Sequence, residues 1–395
     1  MSGINRWLLP DGVDELLPPE AWSVELLRRS LLDLFSSYGY ELVTPPLIEY
    51  LESLLTGTGN DLELQTFKVT DQLTGRMMGL RGDITPQVAR IDSHLLKSTG
   101  VSRLCYADNV LHTRPAHTMT SRSPLQLGCE LFGEASAAAD MEVISLMVET
   151  LALAGVNELH IDLAHVGIYR GLVETSGLSA KDQSTLFDSL SRKSLPELSA
   201  LAEHVAEGGE IVRTIRDIAE LSGGTGALEK IRESVAQLKL SNNAVVMSAI
   251  DDLDAIKVQL QQRFPHVEIG FDFCELRGYS YHTGVMFAAY TPSYGYALAK
   301  GGRYDDIGKE FGESRPATGF SADLKALARV SGLQVRQASE DVVAPYGVSA
   351  DLLGAVKQLR ATRRVIQRLS AQDNSNYGCR FELCKNGEDW KVIAL

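Results

Sequence analysis

The sequence predicts an α+β fold, in which an antiparallel sheet core flanked by helices carries an inserted helical domain and a short C-terminal α/β tail. Up to about Leu163, short strand-like runs alternate with amphipathic helical runs and turn signals. Between about Val166 and Phe264 the chain turns almost wholly helical, and strands resume near Val267. After Leu327 only one helix and one hairpin remain. The implied division is a core of 1–165 and 265–329, an inserted helical domain at 166–264, and a small helix-plus-hairpin domain at 330–395. With 395 residues, core burial is no constraint on two or three such units.

In chain order, Pro18-Pro19 suit a helix start, and Trp22, Leu26, Leu27, Leu31, Leu34 and Phe35 recur at helical spacing until Gly39 stops the run. Tyr40–Thr44 reads as a strand ended by Pro45-Pro46, which cannot continue a central ladder. Phe67–Thr70 and Arg76–Leu80 flank a turn and read as a hairpin; Thr85-Pro86 then supplies an N-cap and an N1 proline for a helix to about Leu96. Arg103–Leu111 and Leu125–Phe132 read as strands, Asp140–Ala154 as a helix, and Glu158–Leu163 as a further strand. Gly223-Gly224-Thr225-Gly226 lacks the preceding strand and following Lys-Ser/Thr of a phosphate-binding loop, so it reads as a helix–helix turn. The tail reads as a helix from Ala350 to Leu369 and a hairpin of Tyr377–Leu383 and Trp390–Ile393.

Hydrophobic residues at 44% and charged residues at 23% are ordinary globular usage, and no apolar run is long enough to cross a bilayer. The protein therefore reads as soluble, with no membrane partner. The start carries no basic segment followed by an apolar run and cleavage site, so a cytoplasmic location is expected. A net charge of −13 opposes adhesion to phosphate backbones and leans against nucleic acid as a partner. The five cysteines, Cys105, Cys129, Cys274, Cys379 and Cys384, form no short pairs of zinc-site spacing, and Cys379 and Cys384 read as opposite faces of one strand. Neither a metal nor a cofactor is expected.

Four segments carry chemistry. In Gln126-Leu-Gly-Cys-Glu130 the strand period puts Gln126, Gly128 and Glu130 on one face, an amide and a carboxylate on either side of a residue without a side chain. That leaves room for a small polar ligand, although a solvated strand face with a bulge glycine would look the same. Arg81-Gly-Asp83-Ile-Thr85-Pro86 places an acid beside a helix start, where it could serve only the helix dipole. Arg277–Gly284 and Gly301-Gly302-Arg303-Tyr304-Asp305 are dense in glycine and aromatic residues near strand ends.

Taken together, these segments resemble the histidyl-tRNA synthetase family of class II synthetases, over about Leu9 to Leu327. Tyr38–Tyr50, with Thr44-Pro45-Pro46 and Glu49, is similar to motif 1, the family's dimer interface, which implies a homodimeric core. Met78–Ala89 and Val110–Gly133 are similar to the region around motif 2, and Arg277–Phe287 and Ala299–Asp305 to the two histidine-specific signatures. The resemblance implies a histidine pocket of Asp83, Thr85, Gln126, Glu130, Arg277, Tyr281 and Tyr304. It places Asp83 against the amino group, Gln126 and Glu130 in the amino-acid pocket and the tyrosines along its walls, while Arg277 matches the arginine that serves catalysis.

Two departures lie at phosphate-binding positions. His112 stands where the motif 2 arginine belongs and Ala326 where motif 3 ends in the arginine that grips ATP. Losing one such clamp costs about a hundredfold or more in rate. Arg114 would have to move by roughly 6–7 Å, a two-residue strand step, to replace the first. Asp323 and Lys325 replace a glycine and a glutamate of motif 3, and His282 replaces a tyrosine. The tail from Val330 is also too short for the synthetases' anticodon-binding domain of about a hundred residues.

A retained histidine pocket without ATP clamps or a tRNA-reading domain resembles the HisZ-type regulatory proteins. That resemblance implies a non-catalytic subunit that assembles with and activates the short-form catalytic subunit of ATP phosphoribosyltransferase, the first step of histidine biosynthesis, and helps mediate feedback inhibition by histidine. The alternatives are a truncated histidyl-tRNA synthetase, which would catalyse histidine-dependent pyrophosphate exchange, and a stand-alone histidine-binding scaffold.

Overall fold

The computed structural model describes residues 7–56, 60–115, 120–221, 226–238, 240, 243–274, 281–312, 314–331 and 340–395. The chain divides into two compact units, Met1–Leu17 with Val24–Gly332 and Pro18–Ser23 with Leu333–Leu395.

In the first unit the strands are β1 Glu41–Leu42, β2 Ile48–Tyr50, β3 Phe67–Thr70, β4 Met77–Leu80, β5 Ser102–Asn109 and β6 Leu125–Phe132. They continue with β7 His160–His165, β8 Glu268–Phe271, β9 Val285–Thr291, β10 Tyr294–Arg303 and β11 Ala317–Asp323. Eight of them build one sheet in the order β1-β5-β6-β11-β10-β9-β7-β8, and β2, β4 and β3 form a separate antiparallel sheet. Every interior pair of the large sheet is antiparallel, as the run of short strands predicts, but both edge pairs, β1 with β5 and β7 with β8, are parallel. A parallel pair needs a long crossover. For β7 and β8 that crossover is the helical stretch, with helices Val166–Glu174, Ala180–Ser191, Leu195–His204, Gly209–Glu220, Ala227–Gln237 and Ala244–Arg263. Its apolar residues, among them Ile168, Ile218 and Leu253, join one cluster with Leu163 and Phe271 of the sheet.

One face of the sheet is covered by helices Glu20–Ser37 and Ala137–Leu153. The first buries Val24, Leu27, Leu31 and Phe35, a narrower stripe than the one predicted, with Trp22 and Leu26 left outside it. Phe35 meets Phe320 of β11 edge to face at 5.9 Å. Leu127, Cys129 and Leu131 of β6 point into this cluster, so Gln126, Gly128 and Glu130 project from the opposite face.

In the second unit β12 Val342–Ala344, β13 Val365–Gln367, β14 Phe381–Asn386 and β15 Asp389–Ala394 lie in the order β13-β12-β14-β15. Helix Ala350–Arg360 packs Leu352 and Val356 on Val342, Ala344, Val365 and Leu383. The predicted helix to Leu369 stops nine residues early, because Val365–Gln367 is drawn into a parallel pair with β12. Cys379 precedes β14 and only Cys384 lies in it, so the two do not share a strand. None of the five cysteines is in a disulfide. Among the described residues no helix is long and apolar enough to cross a membrane, and no group of three His, Cys, Asp or Glu stands together as a metal site. Of the glycine run, only Gly226 lies within the described residues.

Candidate functional site

Glu130, 1% exposed, forms the floor of the site. One carboxylate oxygen accepts from Tyr106 Oη at 2.9 Å and Thr85 Oγ1 at 3.0 Å, and the other accepts from Tyr304 Oη. Two glycines make this possible. A Cβ on Gly319, the register partner of Glu130 on β11, would lie 1.6 Å from the Glu130 carboxylate, and one on Gly128 would lie 2.5 Å from Tyr106 Oη. The space that the sequence leaves over Gly128 is therefore filled by the Tyr106 phenol rather than left for a ligand. Burial pushes the Glu130 carboxyl up to about 8, the Tyr304 and Tyr106 hydroxyls pull it back, and the charge of Asp83 adds to the rise.

Above the floor, Asp83 Oδ1 accepts from Gln126 Nε2 at 2.8 Å and from Thr85 N at 3.0 Å, while Gln126 Oε1 accepts from Ile84 N at 3.0 Å. Thr85 is not the N-cap that its place before Pro86 suggests. Ile84 takes that position, helix Thr85–Arg90 begins with Thr85, and the freed hydroxyl turns to Glu130. Asp83, Thr85 and Gln126 are half-buried, so a chain of hydrogen-bonded polar groups runs from the partly exposed Asp83 inward to the buried Glu130, and it is this cluster that is called the recess below. Tyr304 stands edge-on to Phe132 and to Tyr281, the latter at 6.4 Å between centroids. Six of the seven expected pocket residues thus come together, and Arg277 lies outside the described residues. Sequence reasoning missed Tyr106, whose place in the site comes from its pairing with Gly128 across β5 and β6 and left no local signal.

The expected phosphate end is built differently. His112 Nε2 lies 2.8 Å from the Gly82 carbonyl, and Ala326 is buried in helix Leu324–Val330. Arg114 is exposed. Arg122 donates to the carbonyls of His112 and Asp11 at 3.0 and 2.8 Å and lies over the Phe67 ring. Lys325, 5% exposed, pairs with Asp14 at 3.1 Å and reaches Ser123 Oγ at 3.3 Å, and Arg329 pairs with the other Asp14 oxygen at 3.1 Å. Burial raises the Asp14 carboxyl, but hydrogen bonds from Ser121 and Lys325 and the two cations hold it below the ordinary aspartate range. Asp323, raised by burial, accepts from Lys325 N and Leu125 N.

Comparison with known proteins places this geometry in context. The histidyl-tRNA synthetase family model matches residues 12–327, and the model for the C-terminal domain of the ATP phosphoribosyltransferase subunit HisZ matches 339–393. A chain from Marinobacter nauticus named ATP phosphoribosyltransferase regulatory subunit is 52% identical over the whole of both chains. A crystal structure described as an ATP phosphoribosyltransferase regulatory subunit/histidyl-tRNA synthetase from Bacillus halodurans superposes with a TM-score of 0.81 at 24% identity, covering 95% of this chain and 96% of that one. A chain of the HisG:HisZ ATP phosphoribosyltransferase complex from Thermotoga maritima superposes with a TM-score of 0.57 at 19% identity, covering 75% and 96%. At these identities the two structures establish the fold.

Proposed function

The chain belongs to the family of ATP phosphoribosyltransferase regulatory subunits, and from that premise we propose that it is a non-catalytic subunit whose Asp83–Glu130 recess holds histidine. It acts as the regulatory partner of the short-form catalytic subunit in the first step of histidine biosynthesis. The observation that carries the reading is a contrast within the first unit. The amino-acid end keeps its acids, amide and tyrosines, whereas the cations near the phosphate end are held by Asp14 and by backbone carbonyls. With Arg122, Lys325 and Arg329 held in this way, those three cations offer a pentavalent phosphorus transition state little stabilisation. Chemistry therefore belongs to the catalytic partner.

Histidine suits the recess because its amino group can face Asp83 and its imidazole the hydroxyls and carboxyl around Glu130. Hydrogen bonding of this kind discriminates strongly, since an unmatched ligand leaves buried polar groups unpaired. Feedback follows if histidine binds the inactive assembly more tightly than the active one. We further propose that the exposed apolar side chains Leu47, Ile48, Val69 and Met77 around β2, β3 and β4 seat a second copy, giving a homodimeric core. The domains are read as 1–165 with 265–329, 166–264 and 330–395, and the protein is read as working in the cytoplasm, beside its nucleotide-using partner.

The test is ATP phosphoribosyltransferase activity of the short catalytic subunit titrated with this protein, with and without histidine. Saturable activation that histidine reverses supports the reading. No activation, together with histidine-dependent pyrophosphate exchange by this chain alone, would overturn it.

A further inference from the structure

Beyond the recess, a buried polar network runs from the small sheet to the helix that opens at the site. Glu49 of β2 accepts from Gln87 Nε2 at 2.8 Å and from an Arg90 guanidinium nitrogen at 2.5 Å with the same carboxylate oxygen. Gln87 and Arg90, three residues apart, share one face of helix Thr85–Arg90. Gln87 also donates to the Pro46 carbonyl at 2.8 Å. Arg81, fully buried, donates to the carbonyls of Pro45 at 2.6 Å and Asn109 at 2.9 Å and pairs with Asp108 at 2.9 Å. Its backbone N–H bonds the Leu47 carbonyl at 3.0 Å.

The segment held in this way leads directly into the recess. Asp83 follows Arg81 by two residues, and Thr85 is the first residue of the helix that Glu49 grips. That α-helical stretch runs without a break into a π-helical one, Ile91–Leu96, and Pro86, Gln87, Val88 and Ala89 are all buried in it. Closely packed elements of this kind transmit a displacement rather than absorb it. A shift of β2 would therefore reach Ile84 N and Thr85 N, the two amides that fix Gln126 and Asp83.

We propose that Glu49 is a positioning residue for the recess, carrying the state of the β2 strand into it through Gln87 and Arg90. The proposal rests on the reading of the recess as a histidine site and adds how that site is regulated. Ile48 and Leu47, exposed beside Glu49, lie on the face assigned to a second copy, so whatever seats there bears on the strand that holds the helix.

The experiment compares the intact wild-type protein with Glu49→Gln, Arg90→Gln, the double variant and Asp83→Asn. Amide hydrogen exchange at Ile84 and Thr85 is read first, with no ligand present. Histidine affinity by calorimetry is read second, and melting temperature third. Glu49→Gln is expected to speed exchange at these two amides and to weaken histidine about tenfold, with the melting temperature within a few degrees of wild type. Arg90→Gln, which leaves Gln87 on Glu49, should have a smaller effect in the same direction, and the double variant should be no worse than Glu49→Gln, because Arg90 acts through Glu49. Wild-type exchange and affinity in Glu49→Gln would overturn the proposal, as would faster exchange spread evenly over the unit. If the wild-type protein binds no histidine, the reading of the recess falls, and exchange at Ile84 and Thr85 still decides whether Glu49 positions the loop.

Discussion

Two regions of the first unit, around Glu130 and around Asp14, use similar means to opposite effect. At one end three hydroxyls converge on Glu130, while Asp83, Gln126 and Thr85 stay half-open to solvent. At the other, a carboxylate of the chain itself, Asp14, sits between Lys325 and Arg329, and Arg122 is held by backbone carbonyls. One end leaves polar groups partly open to solvent and the other pairs its charges internally. On the proposed reading the scaffold keeps a binding site and gives up chemistry through a few side chains, while β6 and β11 stay in register.

The contrast is broken most severely at Gly319. Gly319→Ala puts a methyl group into the Glu130 carboxylate, which three hydroxyls hold in place, and 2.6 Å from the Cys129 carbonyl. Overpacking of this kind costs about 1–3 kcal/mol, and histidine binding by calorimetry should fall by about a hundredfold or beyond detection. A variant that binds like wild type would mean that Glu130 is not the floor of the ligand site. Next in size is Asp83→Asn, which removes a charge from the mouth of the recess and leaves Gln126 a partner. A charge-assisted hydrogen bond contributes about 1.5–3 kcal/mol, so affinity should drop by about ten- to a hundredfold with little change in melting temperature. Equal constants for activation and histidine inhibition in Asp83→Asn and wild type would show that this recess is not the sensor.

How much of this was legible in the sequence depends on the range of the interaction. Gln126, Gly128 and Glu130 share a face because a strand alternates, and that period is local. The Pro86 helix start and the helical stretch after Val166 are local signals as well. Tyr106 and Gly319 were not legible as site residues, since their roles come from the registers Tyr106 with Gly128 and Gly319 with Glu130, set between strands far apart in the chain. The same holds for Val365–Gln367. Its neighbours continue a helical pattern, and only the distant β12 makes it a strand. Lys325 was visible as a departure from motif 3, but its partner Asp14, 311 residues earlier, was not.

A smaller effect sharpens the comparison through pH. The folded-state value of Glu130, about 8, lies above the ordinary value of 4.5. Between these values the folded state keeps a proton that the unfolded chain releases, so stability falls as pH rises through this window. The slope is at most about 1.4 kcal/mol per pH unit. Glu130→Gln, which mimics the protonated carboxyl, should flatten the dependence of denaturant unfolding between roughly pH 5 and 8. An unchanged slope would mean that Glu130 is ionised in the folded protein.

At the other end the sign reverses. Asp14 is held below its ordinary value, so its stabilising contribution is present above that value and is lost as pH falls through the depressed one. Lys325→Met removes the buried cation, keeps much of its apolar stem and leaves Asp14 with Arg329 and Ser121. Because the Asp14 side chain is 30% exposed, solvent screens what remains, and the expected loss is about 1–2 kcal/mol rather than that of a fully buried pair. The acid-side decline of stability should weaken, and histidine affinity should stay within twofold of wild type, because no hydrogen bond of Lys325 reaches Asp83, Gln126 or Glu130. A large change in histidine affinity would instead join the two ends into one cooperative site, in which the internal pairing of Asp14 sets the shape of the recess as well as closing off its neighbour.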